Sequence, residues 1–167
     1  AVISGDGIKR IRSVGRVAEL EAASADTSAV TGIAHTRWAT HGVPSERNAH
    51  PHVSAGLAVV HNGIIENYAE LKLELAAAGY VFASDTDTEV IAHLIRHTLK
   101  STPDLFEAVR LAKVRLIGAY AIAVLQEWDD RIVVARHGAP LLLGLGEDGN
   151  YAASDASALL QVTRRMI

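Results

Sequence analysis

Three helix-forming segments follow one another between residues 67 and 116, with strand-forming segments both before and after them. In the first, Asn67 to Ala78, the residues Tyr68, Leu71 and Leu75 recur at helical spacing, and Gly79 suits the C-terminal cap. The second, Thr86 to Lys100, opens with Thr86-x-x-Glu89, the pattern of a capping box, and puts Val90, Ile91, Leu94 and Ile95 on one face. Pro103 fits the first position of a third helix running to about Leu116, with Leu105, Val109 and Ala112 inward. Helices grouped in this way rule against a regular βαβ repeat. They predict an α+β fold in which sheet makes most of the core and the helices stand apart from it.

The flanking segments read as strands. Ala1 to Ser4 and about Ile8 to Val14 frame a Gly5-Asp6-Gly7 turn, a hairpin signal whose first strand is shorter than its partner. That inequality, with an end at Ile167 lacking a cap or polar tail, suggests an interior piece of a longer protein. A short helical pattern begins at Val17, and Val30 to Thr36 reads as a strand. Residues 38–56 have no steady period and predict a long loop, a length that is usually functional or disordered in a compact domain. Leu57 to His61 is a short apolar strand. Beyond Gly118, strands are expected at Tyr120–Leu125, Ile132–Ala135, Leu141–Leu145 and Tyr151–Ala153.

Composition excludes several classes of function. A net charge of −3 with scattered Lys and Arg gives no electrostatic case for nucleic acid. No apolar run approaches the roughly 20 residues that span a bilayer. The chain has no cysteine, so neither a disulfide framework nor a zinc–thiolate site is available. With no targeting signal, the cytoplasm is the default compartment.

Polar residues concentrate in one stretch. Of the eight histidines, His35, His41, His50, His52 and His61 fall between positions 35 and 61, with Arg37, Trp38, Thr40, Asn48 and Asn62 among them. A strand leading into a polar loop is a common way to build a binding site. The planar fork of Arg37 could grip a carboxylate, or form an ordinary surface ion pair. Asp87 could cap the helix that starts beside it, or receive an ammonium group. Together the two would suit a zwitterion such as a free amino acid. Asn62-Gly63 is either a tight turn or a pair of oxyanion donors, the Asn amide and the Gly N–H. His50-Pro51-His52 lacks a third ligand at any recognisable spacing, so no metal or other cofactor is expected. His93, His97 and His137 read as surface or half-buried residues. Acyl transfer thus has its charge-stabilising parts but no nucleophile.

Four ordered motifs carry a resemblance. They are Thr31-Gly-Ile-Ala-His35-Thr-Arg37-Trp38-Ala-Thr40-His41-Gly42, Asn48-Ala-His50-Pro-His52, Val60-His61-Asn62-Gly63-Ile-Ile-Glu66-Asn67 and Ser84-Asp85-Thr86-Asp87-Thr88-Glu89. In this order they resemble the class II, or N-terminal-nucleophile, glutamine amidotransferases. Trp38 and the run that follows look like the sugar-phosphate aminotransferase branch. The match covers essentially residues 1–167.

The resemblance implies an N-terminal-nucleophile hydrolase fold, a four-layer αββα sandwich of antiparallel sheets, here truncated at both ends. It implies hydrolysis of L-glutamine to glutamate and ammonia, with the ammonia passed to fructose-6-phosphate in an isomerase-like domain to give glucosamine-6-phosphate. By motif position, Arg37 would bind the α-carboxylate and Asp87 the α-ammonium group. Thr40, His41 and His50 would line the glutamine pocket, Trp38 would belong to a closing loop, and Asn62 with Gly63 would form the oxyanion hole. No cofactor is implied, and the full-length synthases resemble homodimers. This sequence departs from the family in lacking the N-terminal cysteine nucleophile, whose own amine serves as base. Residues 1–167 are therefore expected to be a partial amidotransferase domain without its nucleophile segment and synthase domain, and not to turn glutamine over. A non-catalytic amino-acid-binding module is the alternative.

Overall fold

The computed structural model of the chain describes residues 1–37, 43 and 45–167. Strands β1 (Val2–Ser4) and β2 (Gly7–Lys9) form the expected hairpin, and helix α1 (Val17–Ser24) follows. Strand β3 (Thr31–Gly32) pairs with β1 to complete a three-stranded antiparallel sheet, extended by Ile33 N–H donating to the Ala1 carbonyl at 2.8 Å. Both β2 and β3 are shorter than their apolar runs predicted. A strand extends only as far as a partner main chain accompanies it, and residue pattern does not reveal that limit.

A 3-10 turn (Glu46–Asn48) and strand β4 (His52–Val53) interrupt the segment read as a plain loop. Strand β5 (Leu57–Gly63), helices α2 (Tyr68–Ala77), α3 (Thr88–Thr98) and α4 (Leu105–Lys113), and strands β6 (Tyr120–Gln126) and β7 (Ile132–His137) follow. The second sheet has the order β4-β5-β6-β7, antiparallel throughout. Strands β8 (Leu142–Leu145) and β9 (Asn150–Ala153) make a separate hairpin, closed by a one-turn helix α5 (Ala156–Leu159) too short to show a period.

The pleat of β5 organises the core. Leu57 and Val59 point to the helices, where they join Ile91, Leu94 and Ile95 of α3. Ala58 and Val60 point the other way and pack with Ile33, Leu125 and the apolar residues of β1 and β2. Helices, four-stranded sheet and three-stranded sheet therefore stack in that order, the αββ part of the sandwich. Ile91, Leu94 and Ile95 are at most 1% exposed. Burying each such side chain stabilises the fold by about 1.5–3 kcal/mol.

Two helix starts differ from expectation. The third helix begins at Leu105, not at Pro103, because the Asp104 side chain caps it by accepting the Glu107 N–H at 3.0 Å. The capping box at Thr86 does not form. Thr86 Oγ1 instead meets Ser84 Oγ and His52 Nε2, each at 3.0 Å, and Glu89 reaches back to the 83–84 backbone.

Candidate active site

Three segments converge at the C-terminal end of β5. The strand itself delivers His61, Asn62 and Gly63, the chain after β3 delivers His35 to Arg37, and the start of α3 with the turn before it delivers Thr86 to Thr88. Between them lies a cleft of about 350 Å³. It continues toward α1 as a second cleft of about 480 Å³ through shared walls at His35, Thr36, Arg37 and His50.

Asp87 is 3% exposed and occupies the N-cap position of α3, yet its side chain makes no capping bond. Its Oδ2 accepts the backbone N–H of Ile65 at 2.8 Å instead. The carboxylate is thus turned away from its own helix and joined to the chain leaving β5. A buried carboxylate held beside a cleft is suited to receive a cation there.

The turn that presents Asp87 is itself anchored. Glu89, 4% exposed, accepts the N–H groups of Ala83 (2.8 Å) and Ser84 (2.7 Å) and the Ser84 hydroxyl (2.7 Å). Burial alone would raise its pKa. The nearby His93 ring, its Nε2 3.7 Å from Glu89 Oε1, and the bonds from the 83–84 segment outweigh burial and hold the carboxyl down at about 2. His93, read in the sequence as a surface or half-buried residue, is buried and meets Ser54 Oγ at 2.9 Å. Asn48, 1% exposed, ties the polar loop to the same turn: its Oδ1 accepts the Asp85 N–H at 3.0 Å, while its Nδ2 donates to Val43 O at 3.0 Å.

Asn62-Gly63 is not a tight turn, since both residues belong to β5, opposite Ala121 and Tyr120 of β6. Gly63 has φ +123°, and a Cβ there would stand 2.0 Å from the Ala119 carbonyl oxygen. Only glycine permits that approach. The next residues stay attached to the same neighbour: Ile64 N–H donates to Ala119 O at 3.0 Å, and Glu66 N–H to Ile117 O at 2.8 Å. Asn62 and Gly63, the candidate donors, are therefore held by backbone pairing on a sheet, not carried on a loop.

The histidines of the cleft are kept neutral. Thr88 Oγ1 lies 3.0 Å from His50 Nε2 and 2.9 Å from His61 Nδ1. A hydroxyl has one proton, so it donates to one ring and accepts from the other. Burial drives the His50 pKa far down, helped by His35, His52 and His61 nearby. Burial also lowers His61 to about 4, although Asp87 pulls it upward. His35 is lowered by burial too, against the effect of its bond to Asn62. Among the described residues no three His, Asp or Glu side chains are grouped as metal ligands.

Of the residues singled out in the sequence, Arg37, His50, Asn62, Gly63 and Asp87 all line this cleft. Trp38, Thr40 and His41 lie outside the described residues. His35, His61 and Thr88 also belong to the cleft, and their motifs contained them without indicating a role. Thr88 had a signal of its own, since a hydroxyl in the first turn of a helix can face a neighbouring strand.

Residues 35–161 match the family model described as a glutamine amidotransferase domain. The chain belongs to that family. Among relatives of the amidotransferase domain, the glutamine–fructose-6-phosphate aminotransferase (isomerizing) of Pseudomonas putida is 56% identical over 172 aligned residues. Its counterpart from Acidithiobacillus ferridurans is also 56% identical. Each alignment takes in 100% of this chain and 28% of the relative, so the chain spans just over a quarter of their length. Among solved structures, the glutamine phosphoribosylpyrophosphate amidotransferase of B. subtilis, complexed with ADP and GMP, superposes with a TM-score of 0.65 at 31% identity. That superposition covers 77% of this amidotransferase domain and 29% of the B. subtilis chain. The fold is the antiparallel sandwich of the N-terminal-nucleophile amidotransferases. No helix among the described residues is long and apolar enough to cross a membrane.

Proposed function

We propose that this domain binds L-glutamine in the cleft between Arg37 and Asp87 and hydrolyses its side-chain amide to glutamate and ammonia. Within a longer protein, the ammonia is delivered to fructose-6-phosphate to form glucosamine-6-phosphate. The observation that supports this reading is that Arg37, Asp87, Asn62 and Gly63 line one cleft. A cation and an anion hold the two charged ends of an amino acid. The Asn62 amide and the Gly63 N–H then face the carbonyl oxygen that becomes negative when a nucleophile adds. His50 walls the same space, and Thr40, His41 and Trp38 are assigned to the pocket and its closing loop by their motif. The full-length protein works in the cytoplasm as a homodimer and needs no cofactor, nucleic acid or membrane in this scheme.

The nucleophile is an N-terminal cysteine preceding this sequence. Its α-amine, with a pKa of about 8, takes the thiol proton and later returns a proton to the leaving ammonia. The 167 residues contain no cysteine. The chain as it stands should therefore bind glutamine and release no ammonia, and a protein that carries the leading cysteine should release it. Calorimetric titration with glutamine and an ammonia assay test both arms. Equal glutamine binding by Arg37→Ala would sink the pocket assignment, and ammonia release by the 167-residue chain would sink the cysteine assignment.

A further inference from the structure

Asn62 can serve an oxyanion only if its amide presents the NH2 group to the cleft. An amide rotated by half a turn presents its carbonyl oxygen instead and repels the developing charge. Backbone pairing cannot choose between these, because β5 fixes the main chain of Asn62 and leaves the last side-chain torsion open. Something outside the strand has to set it.

His35 stands in that place. Its Nε2 lies 2.8 Å from Asn62 Oδ1, across 27 residues of sequence. The ring arrives on the chain after β3, where Ile33 is buried between the two sheets and bonded to the backbone of Ala1. His35 also packs against the ring of His50, with centroids 4.0 Å apart and the ring planes tilted by 45°, so it is held from both sides. We propose that His35 is a positioning residue: its Nε2–H donates to Asn62 Oδ1 and thereby turns the Asn62 NH2 group toward the substrate carbonyl. This rests on the oxyanion role assigned to Asn62 above. The ring has to carry its proton on Nε2 with Nδ1 bare. The opposite tautomer would accept from the amide and point the carbonyl oxygen at the reacting centre. Burial, which keeps the ring neutral, makes the choice of tautomer decisive.

The interaction acts on charge that exists only in the transition state, so its loss should lower kcat and leave KM alone. The experiment is a double-mutant cycle on glutaminase turnover in a full-length protein bearing the leading cysteine. Asn62→Ala should lower kcat about 100-fold or more. His35→Leu should lower kcat at least about 10-fold with KM within about 2-fold, and His35→Gln, which retains a donor, should recover most of it. In the Asn62→Ala background, His35→Leu should cost nothing further. Unchanged kcat in Asn62→Ala would overturn the oxyanion reading itself. A normal loss there, with His35→Leu costing equally in both backgrounds, would overturn the positioning role alone. The tautomer is checked without mutation by long-range proton–nitrogen NMR of the unaltered 167-residue chain. A proton on Nε2 supports the assignment, and a proton on Nδ1 overturns it.

Discussion

The Asp87 carboxylate accepts the Ile65 N–H at 2.8 Å, which fastens the start of α3 to the chain leaving β5. One side chain thereby fixes the distance between the proposed ammonium site and the proposed oxyanion donors. Structure and binding can be separated at this position. Asp87→Asn keeps an acceptor for Ile65 and loses the charge, so stability should stay within about 1 kcal/mol while glutamine binding is lost. Asp87→Ala loses both and should unfold about 1–3 kcal/mol more easily, the cost of an orphaned buried donor. Urea denaturation and calorimetric titration read the two effects. Normal glutamine affinity in Asp87→Asn would remove the anion role.

Gly63→Ala should be among the most damaging single-methyl additions in the chain. The new Cβ meets backbone at Ala119, which cannot swing aside, and φ +123° is strained for any L side chain. A loss of at least about 2 kcal/mol in urea denaturation is expected. Gly5→Ala, where a Cβ meets nothing within 4 Å, is the control and should change stability by less than about 0.5 kcal/mol.

Acid should weaken the fold in two stages. His52 and His61 are both held near 4 by burial, below the ordinary 6.5, so between those values the unfolded chain binds protons that the folded chain refuses. Their contribution is therefore complete above about pH 6.5 and falls as pH drops toward 4. Glu89 acts lower: its contribution is complete above about pH 4.5 and is lost as pH falls toward 2. His52→Gln, which can still bond Thr86, should flatten the first stage. An unchanged slope between pH 6.5 and 4 in urea titrations of that variant would contradict the assignment.

Much of the fold was legible because the helices carry strong periodicity: Val90, Ile91, Leu94 and Ile95 had to face one way, and they do. The local chemistry at Asp87 and Glu89 was not. An acidic residue at a helix start reads the same whether it caps its own helix or serves another strand. The capping-box pattern likewise cannot tell a carboxylate that closes its helix from one that reaches back to residues 83 and 84. At Asn62-Gly63 the strongest short turn signal marks two strand residues, since the positive φ of Gly63 serves a close approach to β6. His35 lay inside a recognised motif, but its purpose depends on a contact 27 residues away.

Asn48 offers a test of how the polar loop is held. Asn48→Ala removes its bonds to Asp85 and Val43 and leaves a buried gap. A loss of about 1–3 kcal/mol in denaturation is expected, together with weaker glutamine binding, because the turn presenting Asp87 loses its outer support. Unaltered affinity beside a clear stability loss would show that the loop can shift without disturbing the cleft.

The two-sided packing of β5 constrains how such a domain can change in length. His61 faces the helices and Thr88, whereas Asn62 faces the opposite side and His35. An insertion or deletion of one residue within the strand exchanges those faces, sending an amide toward Thr88 and an imidazole toward the proposed oxyanion position. Frame within the strand is read in twos, so only even-numbered length changes keep the chemistry on its own side. Loops that bound this domain carry no such parity, and an engineer grafting this site onto another sheet must match the parity of β5 before its sequence.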